Sequence, residues 1–358
     1  LVIERHYTYA AAAGITLAAT VLSSVAQPVF GVLTDRREMH WMVPAGLGVA
    51  GLGIGLAGIT DSYALTWAAV ALSGLGVAAY HPQAARSARI AGGGTATGMS
   101  IFAVGGNLGF AIGPAVTTAV LLATGLGGTP LLVAPALITV VVLVVLQRRT
   151  ATTVAAPAKE ATGTDRWGAF GLLSVAVVMR SILFFGLSTL IALYLRERFG
   201  ADPATGSAAL TTLLAVGTAA TIVGGRLADR IGRVPTIRIG YLLALPGIGG
   251  LVLAPSLPWA FAATVVLGVA TYLPFSVQTT LAQDYLPTRV GTASGVTLGL
   301  AVSVGGIFTP VLGAIGDSAG LAAALLTLLV MPVVALAISI KLPEIRTGFA
   351  AGVAAGKP

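Results

Sequence analysis

The sequence predicts an all-α membrane protein of about eleven transmembrane helices, arranged as two parallel copies of one helical bundle. Three observations carry this expectation. The 358 residues are 56% hydrophobic and only 9% charged, with a mean hydropathy of +0.95, where an ordinary soluble domain is roughly a quarter charged. The apolar residues form continuous runs close to the roughly 20 helical residues that cross a bilayer core, without the alternation of a barrel strand. The second half of the chain also repeats short motifs of the first, in the same order.

The runs lie at residues 10–34, 42–60, 63–86, 95–123, 129–147, 167–195, 205–226, 235–254, 258–283, 290–316 and 319–340. Turn chemistry or charge separates them: Thr34-Asp35-Arg36-Arg37-Glu38 after the first, Gly125 to Pro130 after the fourth, Pro255-Ser256-Leu257-Pro258 after the eighth. The longest polar stretch, with Arg148, Arg149, Lys159, Glu160, Asp165 and Arg166, reads as a linker. The expected organisation is a bundle over residues 1–147, a linker over 148–166, a second bundle over 167–342 and a tail over 343–358. Sixteen of the twenty Lys and Arg fall in one set of alternating loops and three, Arg5, Arg196 and Arg198, in the other. The positive-inside bias makes the first set cytoplasmic, and with it the linker and the C-terminal tail. Residue 5 is then expected outside.

The repeat pairs Gly31-Val-Leu33-Thr-Asp35-Arg36 with Gly225-Arg-Leu227-Ala-Asp229-Arg230, Gly76-Val77-Ala78-Ala-Tyr80-His-Pro82 with Gly268-Val269-Ala270-Thr-Tyr272-Leu-Pro274, and Val104-Gly105-Gly106 with Val304-Gly305-Gly306. Glu4-Arg5 aligns with Glu197-Arg198, which end the first run of the second copy. The first copy is thus expected to hold helices two to six of a six-helix unit, its first helix absent from this chain.

The net charge of +8 does not point to nucleic acid, because the charges sit in short clusters between uncharged runs rather than on one basic face. With no cysteine and only His6, His40 and His81, the chain offers no metal-ligand spacing. No Gly-x-x-x-x-Gly-Lys-Ser/Thr stretch is present for ATP, nor a catalytic acid pair, HExxH or Gly-x-Ser-x-Gly in the runs, so neither an enzyme nor a cofactor is expected.

These residues resemble the major facilitator superfamily, whose members have two six-helix halves and a Gly-x-Leu-Ala-Asp-Arg-x-Gly-Arg motif between helices 2 and 3. The copy Gly225 to Gly232-Arg233 fits that motif fully, while the first copy, with Gly31, Asp35 and Arg36, continues as Arg37-Glu38-Met39-His40-Trp41 without a glycine. A finer resemblance is to the fosmidomycin-resistance subfamily of drug exporters. It rests on Tyr80-His81-Pro82-Gln83 through Arg89, on Ser100-Ile101-Phe102 through Asn107-Leu-Gly109, and on Ala282-Gln283-Asp284 through Arg289-Val-Gly291. Gln83 stands where that subfamily usually has Glu, so a proton-coupling carboxylate is not carried over to it. The resemblance implies a monomeric secondary transporter of the bacterial cytoplasmic membrane, a proton-coupled exporter of small toxic molecules. Uptake of a metabolite or sugar on the same fold, or a transport-inactive sensor or scaffold, are the alternatives.

It further implies that Asp35 faces the helix start near residues 290–292 and Asp229 the one near 95–97, where a carboxylate is favoured by the helix dipole. The plainer alternative is a solvated loop acid or an N-cap. Gly105, Gly106, Gly109, Gly113 and Pro114 are expected to let helices approach closely and bend. Arg86 and Arg89 are expected to snorkel to the interface, past a kink at Pro82. Arg180 lies thirteen residues into its run, about 20 Å deep at 1.5 Å per residue, where a charge normally faces a water-filled path. It is expected to bind an anionic or polar acceptor group of the substrate, with a structural ion pair as the alternative. His81, Asn107 and Gln278 join it as residues of the substrate or proton path, or as helix-packing hydrogen-bond groups.

Overall fold

The structure is a computed structural model and describes residues 5–151 and 163–345. The described part is helical, and 11 helical segments are long and apolar enough to span a bilayer, matching the runs read from sequence. The middle of the linker, 152–162, and the tail from 346 onward lie outside the described residues, as do residues 1–4.

The helices are α1 (Tyr9–Arg36), α2 (Met42–Ile59), α3 (Tyr63–Ala91), α4 (Ala96–Thr124), α5 (Val133–Ala151), α6 (Trp167–Phe199), α7 (Pro203–Ile231), α8 (Arg233–Val252), α9 (Leu257–Tyr272), α10 (Phe275–Tyr285), α11 (Val290–Ala319), α12 (Leu321–Thr327) and α13 (Val330–Ile340). A 3-10 turn, Leu126–Leu132, leads into α5. Two of the predicted runs are broken helices. Pro274 cannot donate to the carbonyl of Ala270 and separates α9 from α10; Pro332 cannot donate to Leu328 and separates α12 from α13. The repeat partner of Pro274, Pro82, behaves differently, for α3 continues through it as one helix.

The chain forms two compact units that do not follow chain order. The first comprises Leu1–Ser87, Gly109–Asp165 and Pro287–Gly299. Its helices meet through glycine. A Cβ on Gly46 would lie 2.7 Å from the carbonyl oxygen of Gly76, one on Gly53 2.5 Å from that of Ala69, and one on Gly74 2.5 Å from that of Ala19, so α2 and α3, and α3 and α1, touch backbone to backbone. The start of α11 joins this unit for the same reason. Gly291, Gly295 and Gly299, four residues apart, lie on the main chain of Gly31, Gln27 and Ser24 in α1. The linker end is fastened here too: Asp165 accepts from the Thr288 hydroxyl at 2.6 Å and from its N–H at 3.2 Å.

The second unit comprises Ala88–Leu108, Arg166–Leu286 and Leu300–Pro358. Its core is aliphatic: Leu183, Leu187, Ile191 and Leu195 of α6, spaced four apart on one face, pack with Leu213, Ile248, Leu251, Leu267 and Leu325. Local signals set its helix ends. Gly200, at φ 66°, closes α6. Asp202 caps α7 by accepting from the Thr205 N–H at 2.7 Å, with Pro203 at the first helical position. The bonds from Thr205 hold the Asp202 carboxyl below its usual range.

Candidate functional site

In the first unit Asp35, on the last turn of α1, sits at the N-terminus of α11. One carboxylate oxygen accepts from Gly291 N–H at 2.7 Å; the other accepts from Thr292 N–H at 2.7 Å and from the Thr292 hydroxyl at 2.6 Å. The first backbone N–H groups of a helix have no intrahelical acceptor, so a carboxylate placed there satisfies them and meets the positive end of the dipole. Gly31 makes room for this, since a Cβ there would lie 2.5 Å from the carbonyl oxygen of Gly291. Arg86 donates to the carbonyl of Thr34 at 2.7 Å, with its terminal nitrogen 4.0 Å from Asp35, rather than snorkelling as expected. Arg36 is exposed.

The second unit repeats the arrangement. Asp229, near the end of α7, accepts from Ala96 N–H at 2.8 Å, Thr97 N–H at 2.9 Å and the Thr97 hydroxyl at 2.6 Å, all at the N-terminus of α4. Gly225 again opens the approach, with a hypothetical Cβ 2.7 Å from the carbonyl oxygen of Ala96. Arg230 is exposed like Arg36, but Gly232 and Arg233 add a layer. Gly232, at φ 106°, turns the chain between α7 and α8 where an L side chain would be strained. Arg233 is thereby buried, ion-paired to Asp284 and donating to the Gly94 carbonyl at 2.9 Å. Arg89 reaches the same Asp284 at 2.8 Å, again paired rather than snorkelling. Glu344 then caps α8, accepting from Arg233 N–H at 2.8 Å and Val234 N–H at 2.7 Å.

Deeper in the second unit lies Arg180, only 4% exposed. The break at Pro274 starts α10 at Phe275 and sets Phe275 and Gln278, three apart, on one helix face. Both meet the guanidinium: its carbon lies 4.6 Å from the Phe275 ring centroid, and Nε donates to Gln278 Oε1 at 3.1 Å. Tyr272 stands edge-on to Phe184 at 5.5 Å and to Phe275 at 6.3 Å, extending the aromatic wall. Among the described residues no carboxylate pairs with Arg180, and no acceptor meets its terminal amino groups. A buried cation in this state can hold an incoming acceptor group at little competition from the protein.

The other residues picked from sequence are placed less tightly. His81 Nδ1 in the first unit and Asn107 Nδ2 in the second are buried without a hydrogen-bond partner among the described residues, so neither locks helices together through those atoms. Gln83, 2% exposed, approaches His40 Nδ1 at 3.4 Å and leaves its carbonyl oxygen unpartnered. The close packing expected of Gly105, Gly106, Gly109 and Gly113 is corrected. Among the described residues nothing lies within 4 Å of where their Cβ atoms would be, and the first three are exposed; helix-to-helix contacts are made by Gly31, Gly74, Gly225 and Gly295. Pro114 falls inside α4, but its side chain is outside the described residues. Glu344, Tyr241 and Phe275 went unnoticed in sequence, and Asp284 was named only within the stretch that carries the family resemblance, without a role.

A protein of Escherichia coli (strain K12) described as a fosmidomycin resistance protein is 30% identical over 326 residues, covering 88% of this chain and 79% of that one. An uncharacterized MFS-type transporter of Bacillus subtilis (strain 168), YfnC, is 30% identical over 332 residues, 87% and 79% of the two chains. Among solved structures, a variant of the E. coli fucose:proton symporter FucP superposes with a TM-score of 0.74 at 15% identity, over 94% of this chain and 92% of that one. The model of the Major Facilitator Superfamily matches residues 2–310 and also residues 173–355, and the chain belongs to that superfamily.

Proposed function

We propose that this chain is a proton-coupled exporter of drugs or toxic compounds, working by alternating access between residues 1–147 and 167–342, with Arg180 as the group that holds the cargo. The observation that carries the cargo site is Arg180 itself: a buried cation about 20 Å into a helix, steadied by Gln278 and Phe275, with open terminal amino groups and no carboxylate partner among the described residues. Export is supported by the likeness to the fosmidomycin resistance protein. Asp35 and Asp229 serve as the gate, holding the face on the loop side that carries them closed while their helix N-termini are engaged. The positive-inside bias makes that side the cytoplasm. Protons are the coupling ion, and the unpartnered His81 and Asn107 are the polar groups on their path.

The test is expression in an E. coli strain lacking its own fosmidomycin resistance protein. The expected result is a raised tolerance to fosmidomycin that an uncoupler abolishes, lost in Arg180→Ala and partly kept in Arg180→Lys, with membrane insertion unchanged. Wild-type tolerance in Arg180→Ala would remove the cargo role. Faster accumulation of labelled compound in expressing cells would reverse the direction.

A further inference from the structure

The hydrogen bonds around Arg180 run in one direction. Tyr241 of α8, 1% exposed, donates its hydroxyl proton to the carbonyl of Ala176 at 2.7 Å. That carbonyl belongs to the turn of α6 just before Arg180. A phenol has a single proton, and a carbonyl can only accept, so the Tyr241 oxygen is left as an acceptor. Gln278 Nε2 donates to it at 2.7 Å, and Gln278 Oε1 accepts from Arg180 Nε at 3.1 Å. The two ends of an amide have nearly the same shape, and only their partners decide which way it points. Here the two partners agree: the Tyr241 oxygen offers only an acceptor to Nε2, and Arg180 Nε only a donor to Oε1. The chain from α6 through α8 and α10 back to α6 is closed, with donor facing acceptor at each link.

Two consequences follow for the guanidinium. Its Nε edge is committed to a neutral amide, which orients it without cancelling its charge as a carboxylate at position 278 would. Its terminal amino groups are left side by side, a fork that matches two oxygens carried on one atom. We propose that Tyr241 is the positioning residue of this site: it turns the Gln278 amide oxygen-first onto Arg180, so that the arginine keeps its charge and presents its terminal fork to a carboxylate or phosphate-type oxyanion of the cargo. This rests on the reading of Arg180 as the cargo site.

The test uses the full chain in lipid nanodiscs with nitrogen-15 arginine, following the Arg180 Nε–H resonance, assigned by its loss in Arg180→Lys. In the wild type this proton exchanges slowly with water. Tyr241→Phe, which keeps the ring and removes the hydroxyl, speeds exchange about fivefold, the equivalent of one net hydrogen bond of about 1 kcal/mol. Adding Gln278→Glu to Tyr241→Phe restores slow exchange, because both carboxylate oxygens accept. Sodium benzoate or inorganic phosphate shifts the terminal amino resonances of the wild type and not those of Gln278→Glu. Unchanged exchange in Tyr241→Phe overturns the lock, as does a fast-exchanging Tyr241 hydroxyl in the wild type, a readout that needs no variant. Absence of any shift with both anions overturns the oxyanion face. Wild-type transport by Arg180→Ala would remove the cargo reading while leaving the exchange results standing, so the two failures are distinguishable.

Discussion

The two copies of the Gly-x-Leu-x-Asp-Arg motif make the same contact and then part ways. Asp35 and Asp229 each accept two backbone N–H groups and a threonine hydroxyl at a helix N-terminus, with distances that agree within 0.2 Å. After Arg36 the chain extends through Arg37 into a loop tied down by Gln147, which donates to the His40 carbonyl at 3.0 Å. After Arg230 it turns at Gly232, buries Arg233 on Asp284, and receives a cap from Glu344. One glycine separates the outcomes: a left-handed turn brings the following arginine inward, and a loop without one leaves its arginines in solvent. The shared part is the carboxylate and its helix; the additional ion network belongs to the second copy alone.

The largest test of this contrast is Arg233→Ala against Arg36→Ala. Removing Arg233 leaves Asp284 buried with Arg89 alone, and breaking a buried pair costs about 3 to 5 kcal/mol; removing exposed Arg36 is expected to stay within about 0.5 kcal/mol. Thermal or denaturant unfolding in detergent compares them, and equal losses would erase the distinction between the copies.

Gly31→Ala asks whether the shared part tolerates any widening. The new methyl would press on the Gly291 main chain, and such overpacking costs about 1 to 3 kcal/mol. Because the strain falls on the closed arrangement of α1 and α11, cysteine accessibility at residues 288–292 should rise with it. A stable protein with unchanged accessibility would show that the contact is not tight.

Glu344→Gln sharpens the role of the cap peculiar to the second copy. The amide keeps one acceptor for two N–H groups and loses the charge at the dipole, an expected loss of about 1 kcal/mol. Gln147→Ala, at the first copy, is expected to cost less than half of that. Smallest of all is Gly105→Ala, which meets open space and should be neutral or gain a few tenths of a kcal/mol from helix propensity. A loss above about 1 kcal/mol would mean that this face of α4 is packed after all.

What could be read in the sequence was whatever depends on local composition or on repetition. The eleven spans follow from run length, the duplicated Asp-Arg motif marks both carboxylates, and the family resemblance supplies the helix starts they face. Arg180 stood out because a cation is rare at that depth. Gln278 stood out too, as a polar residue in an apolar run, but its pairing with Arg180 did not, nor did Phe275 and Tyr241, because nothing in such a run says which residue will face which helix. The glycines of α4 misled for the same reason. Small residues four apart permit close approach without stating that a neighbour arrives, and among the described residues none comes within 4 Å of where a Cβ on Gly105, Gly106, Gly109 or Gly113 would be.

The contact of α1 with the start of α11 is main chain on main chain: Gly291 on Gly31, Gly295 on Gln27, Gly299 on Ser24. Interlocked side chains must change rotamer and re-pack as two helices part, and each such step adds friction and conformational entropy changes. A glycine seam has no teeth. Asp35 fastens one end of it with three hydrogen bonds to the N-terminus of α11. On the proposed gating role, Asp35 is the clasp of this joint, and the glycine seam behind it is the part that separates without repacking.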